Sequence, residues 1–364
     1  MKLKLILFFA ILGITSFAQT PTQTPKSDED EVIRVESRLI TVPVAVLDAK
    51  GQPMLGLTKD DFTIFEENQS QEIAIVSDAE KVPLEIALLI DISASTDSMF
   101  KLELETASAF LRNVMKSEDR ATIYTIGEKP VIVQPRENAE KSSQSLLSIQ
   151  PTKQFTAFFD TVSNASEYLQ KNATQKSRKV VVVISDGEDT NSMQIKKAFT
   201  NVYKKLGAKI NTLTAKEMRQ ITFETRDNAS ILERNRVLQT LQNSDTVFYS
   251  INPAGAFFQL NKMSRYGQDT MSKFAEETGG TAFLPKFLST TLKEPSQNVF
   301  NAKANEDILK SIFQQLTNEL RSQYLLQYYS EGDFADDKYV KLKVSLKNGK
   351  QVRLKSRQGY FVKK

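Results

Sequence analysis

Two kinds of hydrophobic pattern alternate along the chain. In residues 42–46 and 340–346 every second position is apolar, which predicts strands with one buried face. Residues 84–91 and 179–185 are instead nearly continuous apolar runs. Such runs are typical of strands that are buried on both faces of a parallel sheet.

Helical spacing separates the continuous apolar runs. Apolar side chains recur every three or four positions in residues 104–115 and 157–170, and a later helical pattern stops at Gly279 and Gly280. Glycines at this position are common helix terminators. The alternation of strand and helix predicts an α/β fold class, with a doubly wound, mostly parallel sheet over residues 82–320.

Residues 191–245 exceed what a connection in such a fold requires, so we interpret them as a helical insertion. Ile195, Phe199 and Val202 mark one amphipathic helix, whose apolar face is a candidate contact surface. Ser230 and Glu233 have the spacing of a capping box, which predicts the start of a second helix. We expect the insertion to stand clear of the sheet.

The half-buried strands fall into two terminal segments, residues 32–81 and 321–364. Neither segment has enough strands for independent stability, so the economical solution is one small β-sandwich formed by both chain ends. The α/β domain is then inserted between its halves. Within the C-terminal segment we expect a hairpin that pairs Val344 with Leu354, because this register keeps the apolar side chains on one face.

The first 18 residues have the composition of a secretory signal peptide. Lys2 and Lys4 precede a short apolar run, and small residues stand before Gln19, as expected at a cleavage site. Residues 19–31 are rich in Pro, Thr, Gln and acid, which predicts a flexible lead-in. We therefore expect a secreted or periplasmic protein with no transmembrane segment after cleavage.

The composition excludes several kinds of site. The 364 residues include no Cys, no His and no Trp. Disulfides, thiolate or imidazole zinc sites, Cys nucleophiles and Ser-His-Asp triads are therefore excluded. Any metal must be bound by oxygen, which favours Mg²⁺, Mn²⁺ or Ca²⁺.

Charge is unevenly distributed. The chain has a net charge of +4, and residues 338–364 contain ten Lys or Arg and no acid, so the body of the mature chain is acidic. This distribution, without interleaved aromatic residues, is not typical of a nucleic-acid-binding protein. The basic C-terminal hairpin is either a solvated edge or the binding site of an anionic partner, since its like charges face each other across strands.

One motif stands at the carboxyl end of the first buried run. Asp91, Ser93 and Ser95 form a D-x-S-x-S pattern at the edge where open α/β sheets bind ligands. Their oxygens suit a hard divalent cation, although the motif alone is equally compatible with a helix N-cap. Two further polar positions come from other loops: Thr156 precedes a helix, and Asp186 ends the second buried run.

These three segments together resemble the metal-ion-dependent adhesion site of von Willebrand factor type A (VWA) domains. The resemblance implies that Ser93, Ser95 and Thr156 bind Mg²⁺ or Mn²⁺, while Asp91 and Asp186 act directly or through water. Other segments are similar to a secreted, VWA-related family first described from acidobacterial genomes. They are residues 42–46, 56–62, 276–280, 320–324 and 359–361. The sequence departs from the VWA pattern at Gln154 and Phe155, where glycines usually stand.

The resemblance implies a binding function rather than catalysis. In the leading hypothesis the cation captures a carboxylate from a protein partner, as an adhesion or scaffold module would. One alternative is an envelope scaffold with a vestigial metal site, which binds through the insertion or the sandwich. The other is a metal-assisted hydrolase, which lacks a convincing general base because the chain has no His, so we expect no enzyme activity.

Overall fold

The computed structural model describes residues 38–77, 81–93, 97–152, 155–253, 255, 261–347 and 352–362. The predicted signal peptide and lead-in lie outside these residues. The strands are β1 (Arg38–Leu47), β2 (Phe62–Glu66), β3 (Gln69–Gln71), β4 (Ile73–Ser77), β5 (Leu84–Asp91), β6 (Arg120–Ile126), β7 (Pro130–Glu137), β8 (Arg178–Ile184), β9 (Thr246–Ile251), β10 (Ala282–Phe283), β11 (Gln323–Ser330), β12 (Tyr339–Leu346), β13 (Arg353–Ser356) and β14 (Gly359–Phe361). The helices are α1 (Asp97–Val114), α2 (Ala139–Leu147), α3 (Phe158–Asn172), α4 (Met193–Leu206), α5 (Ala215–Asn243), α6 (Lys262–Thr278) and α7 (Pro295–Arg321).

The middle of the chain forms a six-stranded sheet in the order β10-β9-β8-β5-β6-β7. Neighbouring strands are parallel except for β7, which pairs antiparallel with β6 at one edge. Every residue of β5 is buried, and alternate side chains enter the two hydrophobic cores on either face. The continuous apolar run at residues 84–91 is therefore explained by burial on both faces.

Helices cover both faces of this sheet. Apolar residues of α1, α2 and α7 form one core with the sheet, and those of α3, α5 and α6 form the other. Each helix buries an apolar stripe and leaves its polar side in solvent. The predicted α/β fold class with a doubly wound, mostly parallel sheet is confirmed.

The two chain ends together build a pair of four-stranded sheets. One has the order β13-β1-β11-β4 and the other β14-β12-β2-β3. Their inner faces share a third hydrophobic core, to which both terminal segments contribute. As predicted, strands from both ends form a small sandwich, and the α/β domain is inserted between them.

The expected C-terminal hairpin does not form. Strand β12 pairs with β2 and β14, whereas β13 pairs with β1 in the other sheet. The predicted pairing of Val344 with Leu354 is therefore wrong, because Val344 lies opposite Ile64 and Leu354 lies opposite Val46. An alternating pattern specifies which face of a strand is buried, but it does not identify the neighbouring strand.

Two cations of this segment are paired within the protein. Lys355 Nζ lies 2.7 Å from a carboxylate oxygen of Glu319, and Arg357 Nη1 lies 2.9 Å from one of Asp245. Arg357 also donates to the carbonyl oxygen of Thr41, so it joins the sandwich to the end of α5. The basic face therefore presents fewer free charges to an anionic partner than its sequence indicates.

The second helix of the insertion starts earlier than the sequence predicted. It begins after Thr214, which forms a capping box with Glu217, and not at Ser230. Ser230 lies inside α5, and the C-terminal half of that helix packs on the sheet. In α4, Ile195 is fully buried in the core on the same face of the sheet, and Phe199 packs against that core, so the expectation that the insertion stands clear of the sheet is wrong.

Within the described part of the chain, no helix has the length and hydrophobicity needed to cross a bilayer.

Candidate cation site

The site begins where β5 ends. Asp91 is the last residue of the strand and is buried. One oxygen of its carboxylate accepts hydrogen bonds from the backbone N–H and the hydroxyl of Ser93, at 3.0 and 2.7 Å. The hydrogen of the Ser93 hydroxyl is thereby held by Asp91, which leaves the lone pairs of Ser93 Oγ available to a cation.

The neighbouring strand β8 supplies the second part of the site. Ser185 follows β8 directly, and its hydroxyl donates to the other oxygen of Asp91 at 2.6 Å. Asp186 comes next, and its carboxylate accepts the backbone N–H of Glu188 at 2.9 Å. Adjacent parallel strands thus place the loops containing Asp91 and Asp186 side by side.

A glycine contact fixes the loop after Asp186. Gly187 has a positive φ of 77°, and a Cβ at this position would lie 2.7 Å from the carbonyl oxygen of Gly267 in α6. Neither residue therefore has room for a side chain. The close backbone approach holds the loop against α6 and limits the movement of the Asp186 carboxylate.

The third part comes from the segment before α3. The Thr156 hydroxyl donates to the carbonyl oxygen of Glu188 at 2.9 Å, and the Thr156 carbonyl accepts the N–H groups of Thr190 and Asn191. These bonds attach Thr156 to the loop that contains Asp186. As in Ser93, the hydroxyl hydrogen is engaged and the oxygen lone pairs are available.

The structure therefore links four of the five predicted site residues, Asp91, Ser93, Thr156 and Asp186, through one hydrogen-bonded set of loops; Ser95 lies outside the described residues. The donors are hydroxyl and carboxylate oxygens, which fit a hard divalent cation. Among the described residues, no group of three or more acidic side chains could bind a metal. Any cation here would depend on the hydroxyl groups.

The electrostatics of the site also favour a cation. Burial raises the pKa of Asp91. Burial, together with the negative charges of Asp91 and Glu188, raises the pKa of Asp186 to about 6. Within the described chain, no Lys or Arg forms an ion pair with Asp91 or Asp186. Negative charge is thus concentrated without a protein cation to balance it.

Comparison with known proteins identifies the domain. The sequence profile of the family described as von Willebrand factor type A domain matches residues 86–188. This segment contains all five predicted site residues, together with β6, β7, β8 and most of β5. The chain contains a VWA domain. A search among curated proteins found no match.

Solved structures with similar folds are distant in sequence. An aerotolerance-related membrane protein from Bacteroides fragilis is 16% identical over 63% of this chain and 99% of its own, with a TM-score of 0.34. A von Willebrand factor type A protein from Catenulispora acidiphila is 9% identical over 90% of this chain and 75% of its own, with a TM-score of 0.42. Proximal thread matrix protein 1 from the mussel byssus, solved with a zinc-occupied adhesion-site motif, is 12% identical over 68% and 48%, with a TM-score of 0.39.

Two acids of the VWA loop after β8 have structural partners. Asp189 is buried, and its carboxylate accepts the backbone N–H of Phe159 in the first turn of α3. The carboxylate also accepts bonds from Ser192. The Glu188 side chain accepts the hydroxyl of Ser264 in α6. Asp189 therefore ties the loop after β8 to the start of α3, and this contact with Phe159, 30 positions away, is too distant in sequence for a local pattern to show it.

Neutralising Asp186 should stabilise the cation-free protein at neutral pH. Because the raised pKa means that folded Asp186 binds its proton more tightly than unfolded Asp186, stability is lost as the pH rises through about 4 to 6. In EDTA at pH 7, Asp186→Asn should therefore increase the free energy of unfolding by about 1 kcal/mol. The gain should shrink at pH 5, as measured by denaturant unfolding. A loss of stability of equal size at both pH values would contradict this account.

Proposed function

We propose that this protein is a binding protein of the cell envelope or exterior, whose VWA domain holds Mg²⁺ or Mn²⁺ and captures a carboxylate of a protein partner. VWA domains often bind a divalent cation and commonly mediate protein interactions. One observation carries the proposal: the buried carboxylate of Asp91 and the partly buried carboxylate of Asp186 share a set of loops with free hydroxyl oxygens, and no Lys or Arg of the described residues forms an ion pair with either. The signal-peptide pattern of residues 1–18 supports the location.

The rim of the site supports a protein partner. Phe155, directly before Thr156, is 64% exposed, and Met193, at the start of α4, is 65% exposed. Thr156 is bonded to Thr190 and Asn191, so the two apolar side chains belong to connected loops. Exposed apolar side chains beside a polar centre are typical of protein-binding surfaces. An acidic residue flanked by apolar side chains would fit this arrangement.

Phe155 offers a test of partner binding that leaves the cation ligands intact. Proteins retained from envelope extract in Mg²⁺ and released by EDTA are identified first, and the affinity of one of them is then measured. We expect Phe155→Ala to weaken this affinity about tenfold or more, because buried aromatic residues dominate interface energies. Phe300 in α7 is 66% exposed and provides the matched control Phe300→Ala. Equal effects of both variants, or none from Phe155→Ala, would contradict the proposed contact surface.

We further propose that the site binds and does not catalyse. A hydrolase would need a carboxylate free to act as general base. Both oxygens of Asp91 accept serine hydroxyls, and the Glu188 side chain accepts Ser264. Of these carboxylates, only Asp186 could act as a general base, and we assign it to cation binding instead. Turnover of generic ester or phosphate substrates that requires Asp186 would reject this assignment.

The alternative of a scaffold that binds through its insertion also has an observation in its favour. A groove of about 520 Å³ lies between α4 and α5, and Val202 and Leu232 are among its lining residues. Residues 190–216 contain six Lys and no acid, so an acidic protein segment would complement the α4 side. Ile195 is fully buried and Phe199 packs on the core, so the contact face expected from sequence is not available. Partner binding that survives EDTA would favour this alternative.

A further inference from the structure

One side of α4 has a composition that the packing of the helix does not explain. The helix contains four Lys and no Asp or Glu. Three of these lysines and two apolar side chains are exposed and recur at helical spacing, on the side of α4 opposite the buried Ile195. We call this surface the basic stripe, and it consists of Met193, Lys196, Lys197, Tyr203 and Lys204.

No acid of the protein balances the basic stripe. Within the described part of the chain, none of its lysines forms an ion pair. Since α4 contains no acid, no partner three or four positions away can stabilise the helix through a charge pair. The helix dipole favours cations in the last turn, where Lys204 lies, but Lys196 and Lys197 lie near the other end. The positive charge of the stripe is thus available to an acidic partner.

The basic stripe begins at the rim of the candidate cation site. The backbone N–H of Asn191 donates to the carbonyl oxygen of Thr156 at 2.8 Å. The backbone N–H of Met193 donates to the carboxylate of Asp160 in α3, also at 2.8 Å. These bonds fix the first turn of α4 to the site loops. At about 1.5 Å per residue, the stripe then extends about 16 Å along the helix axis from Met193 to Lys204.

We propose that the partner presents an extended acidic segment, of which one carboxylate reaches the cation and the following carboxylates lie along the basic stripe. This inference rests on the proposed function and names the partner class of that site. An extended chain spans about 3.3 Å per residue, so about five residues after the captured acid reach Lys204. Met193 and Tyr203, which are 65% and 43% exposed, would contact the apolar parts of the segment. Glu224 and Glu233 line the groove between α4 and α5, so an acidic segment fits the stripe better than the groove.

The test measures the affinity of two fluorescent peptides for the full mature chain, by fluorescence anisotropy in Mg²⁺ and in EDTA. One peptide consists of ten Glu and spans about 33 Å when extended, whereas the other has a single Glu among nine Gln. We expect the ten-Glu peptide to bind in Mg²⁺, to be released by EDTA and to bind more tightly than the single-Glu peptide. Raising the salt concentration from about 50 to about 300 mM should weaken its binding, because salt screens exposed charges.

Neutral variants locate the binding surface. One exposed ion pair contributes little, but three together should change the affinity for the ten-Glu peptide about tenfold. The stripe variant therefore combines Lys196→Gln, Lys197→Gln and Lys204→Gln. The matched control removes three exposed lysines elsewhere, in the sandwich and at the end of α3, by Lys50→Gln, Lys343→Gln and Lys171→Gln. It changes the net charge equally, and we expect it to keep wild-type affinity. Both variants should keep the melting temperature of wild type, because the substituted side chains are exposed.

The outcomes separate this inference from the proposed function. If EDTA releases the ten-Glu peptide but the stripe variant binds it as tightly as the control does, capture by the cation stands and the role of the stripe is overturned. If the stripe variant binds more weakly and EDTA has no effect, acidic chains bind the stripe alone, and the joint surface is overturned together with capture by the cation.

Two further results would also overturn the inference. The first is a ten-Glu peptide that fails to bind in Mg²⁺ or binds no better than the single-Glu peptide; the response of the melting temperature to cation then still tests the site by itself. The second is binding of phosphatidylglycerol vesicles, but not of the ten-Glu peptide, that the stripe variant loses. This result would assign the basic stripe to a lipid surface.

Discussion

Millimolar Mn²⁺ or Mg²⁺ should raise the melting temperature of the protein, and Asp186→Asn should abolish the response. A ligand that binds only the folded state stabilises it by about 2.7 kcal/mol at a hundredfold excess over its dissociation constant. For a chain of this size the shift is roughly 5 °C or more. Asp91, which is buried, and Asp186, which is partly buried, supply the uncompensated charge that such a cation would neutralise. Differential scanning fluorimetry with added cation, against EDTA, measures the effect.

Serine variants test whether the hydroxyl oxygens of the site contribute to cation binding. Ser93→Ala removes a predicted ligand oxygen and a donor to Asp91, so it should also reduce the response to cation. Ser70, an exposed residue of β3 in the sandwich, provides the control Ser70→Ala, for which we expect the wild-type response. If Mg²⁺ and Mn²⁺ leave the melting temperature of wild type unchanged, the loops around Asp91 do not form a cation site.

The parts of the fold that were predicted correctly are those that local periodicity reports. Strands β5 and β8 are buried on both faces, so nearly all their residues are apolar and the pattern is unambiguous. The pairing of β12 and β13 was not predictable in this way. Val344 pairs with Ile64, 280 positions earlier, and Leu354 pairs with Val46, 308 positions earlier. The alternating pattern is the same whichever strand is the neighbour. The start of α5 was misplaced because two segments have the spacing of a capping box.

In the candidate site, too, the residues with partners distant in sequence could not be predicted. Asp91 and Asp186 follow continuous apolar runs, so the rule for ligand positions in open α/β sheets placed them at one edge. Ser185 and Asp189 act through partners in other elements, which no local spacing reveals.

Deleting residues 338–364 should unfold the sandwich. The deletion removes β12, β13 and β14, so β2 loses its pairing with β12 and β1 loses its pairing with β13. It also removes buried core residues of the sandwich, namely Val340, Leu342, Val344, Tyr360 and Val362. At about 1.5–3 kcal/mol for each large buried apolar side chain, the loss is comparable to the whole stability of a typical domain, about 5–15 kcal/mol. We expect the backbone amides of Val42–Val46 to lose protection in hydrogen exchange.

A shorter deletion separates this effect from the loss of positive charge. Removing Lys363 and Lys364 alone lowers the net charge without removing any strand, and the amides of β1 should then stay protected. In the longer deletion, amides of β5 and β8 should keep most of their protection, because both strands lie inside the central sheet and pair with each other. Backbone amides near Asp245 should lose some protection, because its ion-pair partner Arg357 is deleted. If residues 42–46 remain protected without residues 338–364, the N-terminal strands are stable alone and the two chain ends do not depend on each other.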